Sequence, residues 1–349
     1  MKDLLRMTAL VIVACVAGAC SSSTGGSKTE PTTRQPDALA FPAAPADPVV
    51  EWVASYAKRS DVDPRHHKLR RVLVGEEERE PTLLAPTAVA ISPDNTLLVV
   101  DQELRGVVFI NAETRRFDIF QGTARAPLAE PVGVAVAEDG AFYVSDARTG
   151  VVYVYDAELS LRTVLGASEN FLRPTGLALS ADGVRLAVCD TRAHKVYVLD
   201  TRDGSTLFEL GANDRGSEPE AFNFPVAAAF DEQGFLYVAD FLNFRIQVFD
   251  SAGDLDMIFG QVGDRPGDLN RPRGLAADSA NGVVYEVDAA FQLVQMFNLD
   301  GELLMWFGSP GEGPAQFSLP TGIARRGNLL AVTDTLNHRV QLFRFLGTP

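Results

Sequence analysis

Four histidines, three cysteines and a regularly recurring aspartate are the groups in this chain best suited to metal or nucleophile chemistry. His194 and His338 each stand four residues after such an aspartate, Asp190 and Asp334. A catalytic zinc needs about three protein ligands converging at bond distance. These two histidines fall in the third and sixth copies of a repeat, which a closed ring places on opposite sides, so they read as loop residues. His66 and His67, beside Asp63, read as a polar turn. The recurring aspartates Asp101, Asp146, Asp190, Asp240, Asp288 and Asp334 could serve calcium, a hard cation that takes carboxylate oxygens. Their return in every copy points instead to a structural task. A carboxylate at a strand end accepts backbone N–H bonds from an adjoining loop. Cys189 takes the slot that other copies give to Ser145, Ala239 and Thr333, with no adjacent base to activate it, and reads as a packing residue.

The elements that carry these residues form a unit repeated six times at a spacing of roughly 43–51 residues. Each copy opens with Pro-x-small-aliphatic-Ala: Pro86–Ala90, Pro131–Ala135, Pro174–Ala178, Pro225–Ala229, Pro272–Ala276 and Pro320–Ala324. Proline is tolerated as the first residue of a strand, and the small residues suit strands crowded around one axis. Turn dipeptides follow at Asp94-Asn95, Asp139-Gly140, Asp182-Gly183, Gln233-Gly234, Asn281-Gly282 and Arg326-Gly327, most of them strong hairpin signals. A second strand ends in the aspartate. A third follows, as in Arg245–Phe249 and Arg339–Phe343, and a fourth ends in glycine at Gly122, Gly166, Gly211, Gly260 and Gly308. Six first strands but five fourth strands leave the last copy incomplete. Leu69–Gly75 is similar to Leu161–Gly166 and is expected to fill the gap. The expected fold is all-β: a six-bladed β-propeller over residues 68–349, closed by an N-terminal strand in the last blade. The segment 49–67, with Val49–Tyr56 extended, is expected to pack on its outside.

The chain begins with Lys2 and Arg6, an apolar run Met7–Val16, and Ala17-Gly18-Ala19-Cys20. That run is too short to span a bilayer and fits a cleaved signal. Small residues before a cysteine resemble the bacterial lipobox. Residues 1–19 therefore read as a lipoprotein signal peptide, Cys20 as the lipidated residue, and 20–48 as a disordered tether rich in Ser, Thr, Pro and Ala. The expected location is the bacterial cell envelope, lipid-anchored, on the outer membrane facing the periplasm or the cell surface. Cys189 is then the one thiol left in the propeller, so no internal disulfide is expected. A net charge of −15 repels phosphate backbones and argues against a nucleic-acid partner.

Asp334-Thr-Leu-Asn-His-Arg-Val340 and Asp240-Phe-Leu-Asn-Phe-Arg-Ile246 resemble the consensus of NHL repeats, and the likeness extends over about residues 68–349. Blades one and five depart from it, since Glu103-Leu-Arg105 and Ala290-Phe-Gln292 lack the asparagine. In the similar peptidyl-hydroxyglycine lyase, zinc is held by histidines just after the first-strand proline, pointing into the central channel. The matching positions are Thr87, Val132, Thr175, Val226, Arg273 and Thr321, and none is histidine. The resemblance implies a ring of channel residues with one charge in it. Arg273 could hold a carboxylate or phosphate, with Thr87, Thr175 and Thr321 beside it, or it could pair with Asp288. Fold does not fix function. The expected role is a non-enzymatic, monomeric protein-binding or scaffold module acting through its loop face, with no cofactor. The alternative is a metal-dependent hydrolase, lactonase or lyase with its site in the channel.

Overall fold

The computed structural model of the chain describes residues 39–42, 46–64, 80–166, 171–212 and 214–347. The signal segment, Cys20, most of the tether, His66-His67 and Leu69–Gly75 lie outside these residues.

Six antiparallel sheets follow one another along the chain. Five are simple four-stranded meanders, starting with Pro86–Ile91, Leu97–Asp101, Gly106–Asn111 and Arg116–Phe120. The sixth contains Pro320–Arg326, Leu329–Asp334 and Arg339–Phe345, and its next strand comes from the other end of the chain. The ring is closed by an N-terminal strand, as expected, but by a different one. Val50–Tyr56 pairs antiparallel with Arg339–Phe345, from Val50 opposite Phe345 to Tyr56 opposite Val340, and Ala40–Phe41 adds beyond it. The edge assigned to Leu69–Gly75 is thus occupied. The physical reason lies in long-range partners. The Trp52 indole donates to Gln341 Oε1 at 3.0 Å, and the ring packs with Phe41 against the buried Phe307, Phe317 and Phe343.

The turn residues behave as their types dictate. Asn95, Gly140, Gly183, Gly234, Gly282 and Gly327 all have positive φ, one in each turn between first and second strands. The small residue of the opening motif is a matter of space. A Cβ on Gly133 would lie 2.2 Å from the Thr175 carbonyl oxygen, and one on Gly176 would lie 2.5 Å from that of Val226. Neighbouring inner strands therefore approach backbone to backbone around the axis. Outward from them, alternating side chains of adjacent blades interlock in apolar clusters such as Leu186, Val188, Val152, Val154 and Phe171. Burial of such area, at about 25 cal/mol per Å², is the main force holding blade to blade.

The repeated aspartates do the structural work expected of them. All six are buried, and Asp146 accepts four backbone N–H bonds, from Ala129, Glu130, Arg148 and Thr149, at 2.6 to 3.1 Å. In blades four and six, Asn243 and Asn337 donate to the aspartate at 2.7 and 2.9 Å, while Arg245 and Arg339 Nε do so at 2.9 and 2.8 Å. The shared Asn-x-Arg pattern of those blades is this charged clamp.

Candidate functional site: the central channel

Every first strand loses its register immediately after the opening proline. The breaks fall between Pro86 and Ala88, Pro225 and Ala227, and Pro272 and Gly274, and correspondingly in the other three blades. A bulge re-aims the side chain it contains. Here it turns Thr87, Val132, Thr175, Val226, Arg273 and Thr321 into one cavity of about 450 Å³, so the structure brings all six predicted positions together.

The six differ in what they leave free. Thr175 Oγ1 lies 2.6 Å from Thr191 Oγ1, which donates to the Pro225 carbonyl across the blade boundary at 2.8 Å. Thr321 Oγ1 donates to the Thr87 carbonyl at 2.9 Å and approaches Thr335 Oγ1 at the same distance. Thr321 directly, and Thr175 through Thr191, thus tie neighbouring blades together. Thr87 Oγ1 is buried with no hydrogen-bond partner among the described residues.

Arg273 has no ion pair among the described residues. The anticipated link to Asp288 is absent because that carboxylate is already occupied by the backbone N–H groups of Asn270, Arg271, Ala290 and Phe291, at 2.7 to 3.0 Å. Arg273 instead lies over the Phe241 ring, 4.4 Å from its centroid, and its Nε is buried without a hydrogen-bond acceptor. Burial, reinforced by the neighbouring charge of Arg271, pulls its pKa below the usual guanidinium value. Among the residues lining the cavity only Arg173 and Arg273 are charged, and Arg173 is paired with Glu130 at 2.7 Å.

A second ring of channel residues was overlooked in the sequence. Gln102, Thr191 and Thr335 line the cavity, and Phe241 underlies Arg273. Each directly follows a repeat aspartate, which was the available signal.

At the opposite end, where the first-to-second-strand turns gather, lies a second space of about 1250 Å³. Arg325 pairs there with Glu232, and its Nε approaches the buried Asp278 at 2.7 Å as a charge contact without hydrogen-bond geometry, while Arg326 reaches Glu138 at 2.7 Å. These pairs run from blade six to blades four, five and two.

The remaining candidates are structural. His194 Nδ1 accepts the Phe224 N–H at 3.1 Å, and His338 Nδ1 contacts the Leu84 carbonyl, so each pins the loop leading into the next blade. Cys189 is fully buried, and burial drives its thiol pKa upward, away from reactivity. No cluster of three or more His, Cys, Asp or Glu suited to a metal occurs among the described residues.

The family model described as the SMP-30/gluconolactonase/LRE-like region matches residues 52–266, more than half of the chain. No curated protein matches the sequence significantly. Among solved structures, virginiamycin B lyase from Staphylococcus aureus is 13% identical, with a TM-score of 0.55 over 75% of this chain and 95% of that one. A streptogramin B lyase is 15% identical, with a TM-score of 0.55 over 76% and 85%. Hydrazine synthase from Kuenenia stuttgartiensis is 15% identical, with a TM-score of 0.54 over 78% and 98%. At these identities the likeness is one of fold.

Proposed function

The chain belongs to the SMP-30/gluconolactonase/LRE-like family of six-bladed propellers, and from that premise we propose that it is a binding propeller whose channel captures a ligand without metal chemistry. The observation that carries this reading is the ring of bulged positions, which presents three threonines, two valines and an arginine to the cavity. A hard divalent cation takes several carboxylate or carbonyl oxygens, and zinc takes imidazole, thiolate or carboxylate. The cavity lining has no histidine, cysteine or carboxylate, and its charged side chains are cationic. The residues present do not fit a channel metal.

In this reading Cys20 carries the lipid, the segment between it and the strand Ala40–Phe41 is the tether, and the propeller stands at the bacterial cell envelope with its loop face free. The NHL-like clamps of blades four and six support that role, since they make the loops at this end rigid enough for recognition. Elemental analysis of the purified protein, paired with hydrolase assays under added zinc, calcium and manganese, tests the proposal. We expect metal far below one atom per chain and no metal-stimulated turnover. A stoichiometric channel metal with metal-dependent turnover would overturn it.

A further inference from the structure

Five blades place threonine or valine at the bulged channel position, and blade five places an arginine there. An unpaired guanidinium held partly out of water is unfavourable unless something compensates it. The Phe241 face offers a cation–π contact at 4.4 Å, which offsets part of that cost but accepts no hydrogen bond. Five N–H donors on a planar fork are suited to the two oxygens of a carboxylate. The chain as a whole is strongly acidic, with a net charge of −15, yet the cavity lining contains no carboxylate. The local charge is therefore opposite to the global one.

The surroundings of the anchor are apolar. Leu319 and the aliphatic inner-strand residues line the cavity. Leu84 and Leu172, just before first strands, and Leu242 and Leu336, just after second strands, are exposed at the same end of the ring. Leu242 follows Phe241, and Leu336 follows the cavity-lining Thr335. A cavity of about 450 Å³ that is mostly apolar and holds a few fixed polar groups has the character of a small-ligand site.

We propose that the loop end of the channel is a recognition site for a carboxylate with an apolar body. Arg273 holds the carboxylate, Thr87 Oγ1 supplies an additional hydrogen bond, and the leucines of the rim cover the apolar part. This assignment rests on the binding reading above and names its ligand class. A free organic acid and the C-terminus of an apolar peptide share this chemistry.

Calorimetric titration of the full-length protein in nanodiscs separates these sources and tests the claim. The probes are hexanoate against hexanamide, and a leucine-rich tetrapeptide as free acid against its amide. The expected result is that at least one acid binds, and that its amide binds about tenfold to a hundredfold more weakly. The tighter acid identifies the source. Arg273→Ala reduces affinity for the acid to that of the amide, while melting cooperatively at the wild-type temperature or above. Phe241→Leu, which keeps the guanidinium, weakens binding about twofold to fivefold. The site is overturned if neither acid binds, if acid and amide bind alike, or if Arg273→Ala binds the acid as wild type does. A metal-free protein that ignores carboxylates removes this site and leaves the metal-free reading standing, whereas a stoichiometric channel metal removes that reading.

Discussion

The two ends of the central channel treat arginine in opposite ways. At the turn end, Arg325 meets Asp278 and Glu232, and Arg326 meets Glu138, so each cation is matched by carboxylates from other blades. At the loop end, Arg273 lies on an aromatic ring with no described carboxylate to face it. Both are inside the same ring of strands. The paired end braces blade six against three others. The unpaired end carries an uncompensated charge of the kind that folded proteins retain mainly where a ligand completes it. The comparison therefore assigns structure to one mouth and recognition to the other.

The largest expected effect is at the braced end. Arg325→Leu leaves the buried Asp278 without its cation, and breaking a buried pair in this way costs about 3–5 kcal/mol, readable as a lower urea midpoint. Arg273→Leu should move stability in the other direction, by about 1–3 kcal/mol, because it removes a desolvated charge that has no acceptor.

Glu286 sharpens the contrast, since it is a buried acid with no ion pair among the described residues and does not line the channel cavity. It is fully buried in blade five where the other blades place Val99, Val144, Val188, Val238 and Val332; its Oε2 accepts from Gln295 Nε2 at 3.4 Å, and its Oε1 has no hydrogen-bond partner among the described residues. Burial, with the charge of Asp288 adding to it, holds its carboxyl well above the usual carboxylate range. The folded state keeps a proton that the unfolded chain would release. Its contribution is therefore most favourable in acid and is lost as pH rises from the unfolded value towards the folded one. Glu286→Val should add about 1–2 kcal/mol at neutral pH. Its advantage over wild type should widen between pH 4 and pH 8, in denaturation series run at each of those pH values. A constant advantage across that range would remove the titration from the account.

The smallest effect is at Arg326. Its pair with the exposed Glu138 is screened by water, and Arg326→Ala should cost at most about 1 kcal/mol, falling further in high salt.

Much of this was legible in the chain. Pro86, Pro131, Pro174, Pro225, Pro272 and Pro320 mark the first strands, and the residue after each one does reach the channel. The aspartates were legible as loop ties because their chemistry is local, joining residues within one blade or its entry loop. What could not be read depends on partners distant in sequence. Val50–Tyr56 lacks the terminal glycine of the other fourth strands, and its place is set by Trp52 meeting Gln341. Arg273 had Asp288 as a plausible mate until the loop amides of blade five were seen to occupy that carboxylate. Thr175 and Thr321 were grouped with Arg273 as ligand contacts, yet the Thr175 hydroxyl is engaged by Thr191 within its own blade and that of Thr321 by Thr87 across a blade seam. The Arg325 and Arg326 pairs join different blades, so no repeat alignment could place them together.

The central claim is that the unpaired arginine is kept for an anion, and one linked measurement tests it: urea denaturation of wild type and Arg273→Leu, each with and without saturating hexanoate. Without ligand, the variant is expected to be the more stable of the two proteins. Hexanoate is expected to stabilise wild type and leave the variant unchanged, as a ligand that binds the folded state at that residue does. A variant less stable than wild type, or an equal hexanoate effect on both proteins, would contradict that claim.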